Sequence, residues 1–491
     1  MPELSRQRRY LVLAICCMSL FIVGIDSTIV NVALPDIGRD FHAPVSGLQW
    51  TIDAYTLVLA ALLMLSGSTA DRLGRRRVFQ IGLALFTIGS LLCSLAPGLG
   101  WLVAFRMVQA VGGSMLNPVA MSIITNTFTQ PSDRARAIGV WGGVFGLSMA
   151  MGPVVGGALV DSVGWRGVFW VNIPVGIAAI LLTALFVPES KAARARRPDP
   201  IGQVLIIAML GSLTYGIIEG PSYGWGSARI LAFFAVTVIA VIAFLFYEPR
   251  REDPLIDIRF FRSLPFSGAT LTAVSATSAL GGFLFLITLY LQDVRGYRPL
   301  FAGLFLLPMA AAMAVGALTT LSSSTGYVLA WVALAGLGLG LVMPSAMGVA
   351  LGALSAERSG AGSALITAMR QVGSTIGVAI LGTVISNIYA DQVAAAVAHL
   401  PAQTAAAVQS GVGGGTAIAV KLGDSALLDT VRNAFVHGMD VMLWTCGGIA
   451  VGCALLAVTF LRSPQASGVA DAARETAAGG HSAQDGSLSV N

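Results

Sequence analysis

Three charged residues lie within otherwise apolar stretches of the chain. Asp26 lies in the run 11–34, and Asp53 and Arg106 each lie a few residues inside a later run. If these runs cross a bilayer, each charge costs about 2.5–3.5 kcal/mol on insertion scales, which makes a functional role the default reading. Two acids and a base could bind and release protons. The alternatives are a structural hydrogen bond between helices for Asp26 and contact with headgroup water for Asp53.

The three charges are expected at similar depths in the membrane. Asp26 lies about eight residues from the predicted outer end of its run and Asp53 about five, so their depths differ by only about 5 Å at 1.5 Å per residue. Arg106 lies about four residues in from the same side. We therefore expect Arg106 to offset the buried negative charge of the acids.

Polar residues continue along the fourth apolar run beyond Arg106. Arg106, Gln109, Gly113 and Asn117 are spaced by three or four residues, so they share one side of a helix. Such a stripe could face a water-filled path, or it could form hydrogen bonds between helices.

Glycine and proline dominate the fifth apolar run. Gly142 and Gly146, and likewise Gly152 and Gly156, are small residues four apart, a spacing that lets helices approach closely. Pro153 removes a backbone donor and favours a kink. Taken alone, this pattern favours helix packing.

A short basic segment connects the second and third apolar runs. It reads Gly67-Ser-Thr-Ala-Asp71-Arg72-Leu-Gly74-Arg75-Arg76-Arg77. Basic residues between apolar runs anchor a protein on the cytoplasmic side of the membrane. The order Asp-Arg-x-Gly-Arg is tighter than anchoring requires, so we predict an additional role.

The elements that must position these residues are long apolar helices. Hydrophobic residues make up 56% of the 491 residues and charged residues 11%, whereas soluble domains have about 45–50% apolar and about 25% charged residues. This composition excludes a soluble, disordered or fibrous protein, and apolar runs of roughly 20 residues favour an all-α polytopic membrane protein over a barrel. The thirteen predicted segments are residues 11–34, 48–70, 78–96, 102–128, 137–160, 168–187, 201–218, 230–246, 264–291, 301–321, 327–351, 364–388 and 435–461.

Lys and Arg residues in the connecting segments set the predicted orientation. With the N-terminus in the cytoplasm, the outer segments before residue 264 contain Arg39, Arg166 and Arg229. The inner segments contain many more basic residues, namely Arg6, Arg8, Arg9, Arg72, Arg75, Arg76, Arg77, Arg134, Arg136, Lys191, Arg194, Arg196, Arg197, Arg250, Arg251, Arg259 and Arg262. We therefore predict a multi-pass protein of the inner or plasma membrane with a cytoplasmic N-terminus.

Three segments outside the apolar runs have distinct compositions. Residues 188–200 are charged and contain proline, and we expect a cytoplasmic linker there. Residues 389–434 are rich in Ala, Gly and Gln with few charges, and we predict a long outer loop. Residues after 463 are small and polar, which is typical of a disordered tail.

In these motifs the sequence resembles the major facilitator superfamily, and specifically its 14-helix drug:proton antiporter branch. Residues 67–79 are similar to the signature loop between helices 2 and 3, and residues 24–35 to the helix 1 motif. Residues 146–159 resemble the antiporter motif of helix 5, and residues 102–114 the helix 4 motif, with Ala110 where glycine is usual. Three further matching stretches are residues 165–176, 218–225 and 290–297.

The resemblance implies a major facilitator fold, with two six-helix halves around a central cavity and two extra helices between them. We expect an N-terminal bundle in residues 1–187, a linker with the two extra helices in 188–262, a shortened C-terminal bundle in 263–462 and a cytoplasmic tail in 463–491. The resemblance also implies alternating access by rocking of the halves, and export driven by inward proton flow.

Roles for individual residues follow from the matching motifs. Asp26 and Arg106 take the proton-coupling role, and we add Asp53 because of its depth. The antiporter motif includes Gly152, Pro153, Gly156 and Gly157. The gating loop includes Gly67, Asp71, Arg72, Gly74, Arg75 and Arg76. The candidates to line the cavity are Gln109, Asn117, Tyr290, Gln292 and Arg370.

The C-terminal half departs from the family pattern. The interval from Pro308 to Gly336 is too short, by about 30 residues, for the helix pair of the family, since one crossing takes about 20 residues. Thirteen full crossings would place the tail outside, so we expect residues 299–326 to enter and leave the membrane on the outer side. His437 and Asp440 also stand where the family motif usually has an acid and a base.

These observations predict proton-coupled export of amphipathic small molecules, such as drugs or antibiotics, across the lipid bilayer. No Gly-x-x-x-x-Gly-Lys-Ser/Thr sequence occurs, so no ATP site is predicted. We expect no metal, cofactor, nucleic acid or enzymatic reaction. The alternatives are a proton-coupled uptake symporter, against which the antiporter motif argues, and a degenerate carrier or non-transporting sensor, which the shortened C-terminal half favours.

Overall fold

The protein is a bundle of long helices. The structure is a computed structural model that describes residues 5–191, 199–251, 254, 258–300 and 359–460. In the first part of the chain the helices are α1 (Arg6–Phe41), α2 (Val45–Leu73), α3 (Arg75–Ser94), α4 (Leu99–Thr127), α5 (Pro131–Val163), α6 (Gly167–Trp170), α7 (Asn172–Phe186), α8 (Pro200–Tyr223) and α9 (Ala228–Tyr247). The later helices are α10 (Leu264–Leu289), α11 (Ser359–Val397), α12 (Ala402–Gln409), α13 (Val412–Leu422) and α14 (Ser425–Phe460). Among the residues that the structure describes, nine helices are long and apolar enough to cross a membrane.

Most of the predicted membrane segments correspond to these helices, which extend beyond the apolar runs at their ends. The first segment, residues 11–34, lies within α1, for example. The predicted segments 301–321 and 327–351 lie outside the described residues. The same holds for residues 301–326 of the expected re-entrant element and for the tail.

Proline accounts for the division of one predicted segment into two helices. Residues 168–187 form α6 and α7, and Pro174 lies in the first turn of α7. Proline has no N–H to donate to the carbonyl of Trp170, so the helix is interrupted at this point. Asn172 follows the interruption and is buried.

The end of α10 also departs from regular helix. Tyr290–Val294 forms a π-helical turn in which the N–H of Arg295 donates to the carbonyl of Tyr290 at 2.9 Å. Turns of this kind are rare and are found frequently at functional sites. Here the turn contains Gln292, whose side chain contacts α1.

The prediction of a long loop over residues 389–434 is wrong. α11 continues to Val397, two short helices follow, and α14 begins at Ser425. Alanine has the highest helix propensity, and this stretch is rich in it, so its lack of long apolar runs did not prevent helix formation. Gly411 lies between α12 and α13 and Gly423 between α13 and α14, both at positive φ.

Two groups of helices meet along α2 and α11. In the N-terminal group α1 packs against α5, and α4 packs against both α2 and α3. In the second group α10 packs against α11 and α14. α2 contacts α11 directly, and α8 contacts both of them.

The apolar core joins the two groups at one end of the bundle. There, residues of α1 from Ile25 to Ile37 share a cluster with residues of α10, α11 and α14. A second cluster lies around the first half of α1 and consists almost entirely of N-terminal residues, with Ala368 as its described member from α11. We call the first region, where α1 is followed by α2, the α1–α2 end.

Candidate functional site: a buried ion-pair network

Asp26 and Arg106 form an ion pair in the middle of the N-terminal bundle. Arg106 Nη1 lies 2.6 Å from Asp26 Oδ2, and the side chains are 2% and 0% exposed. Arg106 Nη1 also donates to Gln109 Oε1 at 2.7 Å. A buried pair of this kind is stable only when further hydrogen bonds satisfy its remaining polar atoms.

Amide side chains provide those hydrogen bonds to Asp26. Gln109 Nε2 donates to Asp26 Oδ1 at 2.8 Å, and Asn172 Nδ2 donates to the same oxygen at 3.0 Å. Both amides also contact Ser90 Oγ, at 2.8 and 3.3 Å. Three donors from α4 and α7 therefore bind the Asp26 carboxylate.

Arg106 is fixed on its other side by α2. Its Nε donates to the carbonyl of Thr51 at 3.3 Å. Its guanidinium carbon lies 4.0 Å from the centre of the Tyr55 ring, a cation–π geometry. The network thus joins α1, α2, α3, α4 and α7, and we call it the Asp26 network.

Asp53 is also fully buried but lies outside this network. Its side chain is 0% exposed, and neither carboxylate oxygen has a hydrogen-bond partner among the residues that the structure describes. The expectation that Arg106 offsets the charge of both acids therefore differs from the observed geometry, in which Arg106 pairs with Asp26 alone.

Helix periodicity explains why the two acids are separated. Thr51 and Tyr55, which contact Arg106, lie on the opposite face of α2 from Gln49 and Thr56. Gln49 Nε2 donates to the carbonyls of Val378 and Ala379, both at 3.1 Å, so this second face lies against α11.

Asp53 shares that second face of α2. It lies four residues after Gln49 and three before Thr56, whose hydroxyl is 2.8 Å from that of Thr375 on α11. The spacing of three and four residues places all three on one side of the helix. Asp53 therefore lies on the α11 side of α2, away from Arg106.

The predicted gating loop is held by an ion pair and by the segment after α7. Arg75 Nη2 lies 2.8 Å from Asp71 Oδ1. Glu189 Oε1 accepts the N–H of Arg76 at 3.2 Å, which satisfies one of the free amides at the start of α3. Gly74 has φ +112°, and a Cβ there would lie 2.6 Å from Glu189 Oε1, so only glycine fits. Of the other predicted residues, Arg72 is exposed and Gly67 lies beside Pro118.

The antiporter-motif glycines allow close contacts of α5. A Cβ at Gly156 would lie 2.7 Å from Ile29 Cγ1, and one at Gly152 would meet Thr28, so both glycines pack against α1. Pro153 is buried beside them. Gly157 instead faces the segment after α10, where a Cβ would lie 2.6 Å from Leu300 Cα.

The predicted cavity residues are dispersed. Gln109 belongs to the Asp26 network, and Gln292 Nε2 donates to the carbonyl of Val32 at 2.8 Å. Tyr290 is buried, and the buried oxygen of Asn117 has no hydrogen-bond partner in the described part of the chain. Arg370, on α11, is partly exposed, and its buried Nε has no hydrogen-bond partner within the described ranges. Their role in lining a cavity stays a prediction.

Sequence reasoning did not select several residues of the site. Ser90, Asn172, Thr51 and Tyr55 complete the Asp26 network, and Glu189 holds the start of α3. Asn172 could have been found, because a polar residue beside a proline in an apolar segment is a signal for a helix interruption. The serine and threonine had no such signal, since these residues occur at many positions in membrane helices.

Long apolar helices around a buried acid–base network define a polytopic membrane protein, in which such charges mark substrate or proton pathways. The family model of the Major Facilitator Superfamily matches residues 16–378, and the chain belongs to this superfamily.

Relatives with assigned names are resistance and export proteins. The chain is 39% identical to the multidrug resistance protein Stp of Mycobacterium tuberculosis (strain ATCC 25618 / H37Rv) over 298 residues, which cover 61% of this chain and 56% of Stp. It is 34% identical over 409 residues to the tetracenomycin C resistance and export protein of Streptomyces glaucescens, covering 77% and 76% of the two chains. The chain therefore matches little more than half the length of Stp and about three quarters of the Streptomyces protein.

Solved structures show the same fold at low sequence identity. A bacterial homolog of the human lysosomal transporter Spinster, crystallised in an inward-facing and unoccupied conformation, superposes with a TM-score of 0.65 at 18% identity, covering 94% of this chain and all of that one. The human organic anion transporter MFSD10 gives a TM-score of 0.53 at 12% identity, covering 90% and 99%.

Proposed function

We propose that the protein exports amphipathic small molecules, of the drug or antibiotic class, in exchange for protons. The observation that carries this proposal is the pair of buried acids in different surroundings, Asp26 bound to Arg106 and Asp53 without a partner. The names of the relatives, which include multidrug resistance and antibiotic export, support the substrate class and the direction of transport.

The two acids are suited to different tasks. Asp26 accepts hydrogen bonds from three donors, one of them a guanidinium, and these bonds connect α1 to α4 and α7. Asp53 has no such donors, and burying a charged carboxylate without a partner is costly, whereas a bound proton removes the cost. Asp53 is therefore the better candidate for the proton that is exchanged, and Asp26 for the group that fixes the geometry of α1, α4 and α7.

The position of Asp53 supports coupling to a change of conformation. It lies on the face of α2 that contacts α11, where the two helix groups meet. When the halves rock, contacts on this face must change, so a proton on Asp53 can be exchanged in one conformation and retained in another. This is the requirement for coupling a proton gradient to export.

We place the N-terminus and the gating loop in the cytoplasm, and we assign the driving force to protons rather than ATP. The excess of basic residues in the segments predicted to be inner supports the orientation. The Asp71–Arg75 pair and the Glu189 contact give the loop a defined conformation, which supports a gating role beyond anchoring.

Transport by the whole protein in liposomes tests the function. Efflux of a fluorescent lipophilic dye and of a panel of amphipathic antibiotics is measured with and without an imposed proton gradient. We expect efflux that depends on the gradient and stops when a protonophore collapses it. Efflux of equal rate without any gradient would contradict proton coupling.

Matched amide variants separate the roles of the two acids. Asp53→Asn should abolish gradient-driven efflux yet leave the melting temperature unchanged or raised, because Asp53 has no partner to lose. Asp26→Asn should abolish transport and also lower the melting temperature, because it breaks a buried ion pair, a change that costs about 3–5 kcal/mol. Asp133→Asn, in the first turn of α5, serves as the control. Wild-type coupling in Asp53→Asn would remove Asp53 from the proton path.

A further inference from the structure

The first of the two extra helices, α8, is bonded to both helix groups. Gln203 Nε2 on α8 donates to the carbonyl of Ala61 at 2.7 Å, and Trp50 Nε1 on α2 donates to Glu219 Oε1 at 2.9 Å. On the other side, Thr383 Oγ1 of α11 donates to the carbonyl of Ile217 at 3.1 Å. α8 therefore lies over the line along which α2 and α11 meet.

Apolar packing follows the same line. Ile206 and Leu210 of α8 share a buried cluster with Leu57 and Ala60 of α2, to which Phe244 of α9 also belongs. Val372 of α11 packs against the edge of this cluster. α8 and α9 form a hairpin, and this hairpin thus covers the contact between the two helix groups.

Asp53 lies beneath this cover. On α2 it stands between the residues that face α11, Gln49 and Thr56, and those that face α8, Trp50 and Leu57. The Asp53 side chain is 0% exposed, and the atoms that cover it belong to the protein. Protein and not lipid therefore encloses it. Of the described helices, α8 and α11 are the ones that contact this side of α2.

We infer that α8 forms the lipid-side wall of the Asp53 site and moves together with the N-terminal half. The evidence for the wall is the burial of Asp53. The inference that α8 moves with the N-terminal half depends in addition on the proposed alternating access. An unpaired carboxyl group next to lipid could neither take up nor release a proton through water, so a wall on this side directs exchange toward the interior of the protein.

The contacts of α8 show why it belongs with the N-terminal half. Two side-chain hydrogen bonds near opposite ends of α8, together with the apolar cluster, connect it to α2. In the described part of the chain, one side-chain hydrogen bond, from Thr383, connects it to α11. A hydrogen bond between Ser212 Oγ and Thr237 Oγ1, 2.7 Å apart, connects α8 to α9. We therefore expect these two helices to move together.

Reversible cross-links test the movement. In a variant without the native cysteines, Ile217→Cys with Thr383→Cys fixes α8 to α11, and Gln203→Cys with Ala61→Cys fixes α8 to α2, each through a short thiol-reactive reagent that a reductant cleaves. We expect the α8–α11 link to stop efflux until it is cleaved and the α8–α2 link to leave efflux intact. The reverse pattern, or equal activity of both linked proteins, would overturn the assignment.

Chemical access to Asp53 tests the wall without measuring transport. Dicyclohexylcarbodiimide, a lipid-soluble reagent for protonated carboxyl groups, is applied to the protein in vesicles, and modification of the Asp53 peptide is measured by mass spectrometry. Leu210→Ala, which opens the wall, should increase modification several-fold, whereas Leu231→Ala on the exposed face of α9 should not. Equal modification in Leu210→Ala and the wild type would overturn the wall.

The two failures are distinguishable. If Asp53→Asn transports normally while Leu210→Ala still exposes Asp53, the proposed function of Asp53 fails and the wall stands. If Asp53→Asn is inactive while access is unchanged in Leu210→Ala, the wall fails and the proton role stands.

Discussion

At the scale of residues, Asp26 and Asp53 are equally buried. What distinguishes them is the set of groups around each carboxylate. Arg106 and two amide groups surround the first, whereas the described residues provide no hydrogen-bond partner for the second. Charge-assisted hydrogen bonds are roughly twice as strong as neutral ones, so the Asp26 network holds its helices in a fixed arrangement. The same chemistry is absent at Asp53, which leaves it free to respond to a proton.

Arg106 should be replaceable in part by lysine but not by alanine. Arg106→Ala leaves Asp26 buried without its cation, which costs about 3–5 kcal/mol, and we expect loss of transport and a lower melting temperature. Arg106→Lys keeps the charge, but a single ammonium cannot contact Asp26, Gln109 and Thr51 together, so we expect intermediate transport. Arg39→Ala removes an exposed pair with Asp36 and is the control. Full activity in Arg106→Ala would make the network merely structural.

At the scale of elements, glycine positions determine how closely α5 approaches its neighbours. Gly152 and Gly156 bring α5 against α1 within the N-terminal half, whereas Gly157 brings it against the segment that follows α10. Asp161, one turn further, accepts the N–H of Leu300 at 3.1 Å. One helix thus has both an internal packing surface and a surface between the halves.

A methyl group at Gly157 should oppose contact between the halves at the α1–α2 end. Gly157→Ala would place a Cβ 2.6 Å from Leu300 Cα, so we expect the halves to separate there without loss of the N-terminal fold. The rate of thiol labelling of Val45→Cys, at that end, should rise in this variant. Gly139→Ala, where a Cβ meets no described atom within 4 Å, is the matched control. Unchanged labelling in Gly157→Ala would contradict this role of Gly157.

The gating loop should be equally sensitive at Gly74. Gly74→Ala forces a side chain into positive φ, which costs about 1–3 kcal/mol in backbone strain. The added Cβ would also meet the side chain of Glu189. We expect reduced transport and faster amide exchange at the start of α3. Gly98→Ala, before α4, has open space around it and tests whether alanine for glycine is harmful in general. Similar behaviour of the two variants would argue against a defined loop conformation.

At the scale of the whole molecule, the described helices meet at the α1–α2 end. Gln292 bonds to α1, Gln49 bonds to α11, and the N–H of Val45 donates to the carbonyl of Ser410 at 3.2 Å. The apolar cluster that spans both groups lies at the same end. With the proposed orientation, this end faces outside, so the described helices of the two groups contact each other on the outer side.

Site-directed labelling in intact cells should establish the orientation. In a background without native cysteines, Arg75→Cys should react with membrane-permeant thiol reagents and not with impermeant ones, because the gating loop is proposed to be cytoplasmic. Gln409→Cys, at the α1–α2 end, should react with both. Labelling of Arg75→Cys by an impermeant reagent would invert the orientation.

Composition and periodicity were sufficient to predict most of the fold. An apolar run of about 20 residues has one stable form in a bilayer, because every backbone group must be satisfied within the helix. This constraint made the helices of the N-terminal half predictable. The constraint does not apply to residues 389–434, which lack such runs. There the helix propensity of alanine determined the structure instead.

The sequence by itself determined which residues are charged within the helices and that Asp26 and Arg106 lie at similar depths. It did not determine which residues they contact, because depth is one coordinate and pairing also depends on rotation about each helix. Tertiary packing decided that Thr51 and Tyr55 face Arg106 while Asp53 faces α11. Packing also placed α8 against both α2 and α11, since contacts between distant segments depend on how whole helices fit together and not on any local pattern.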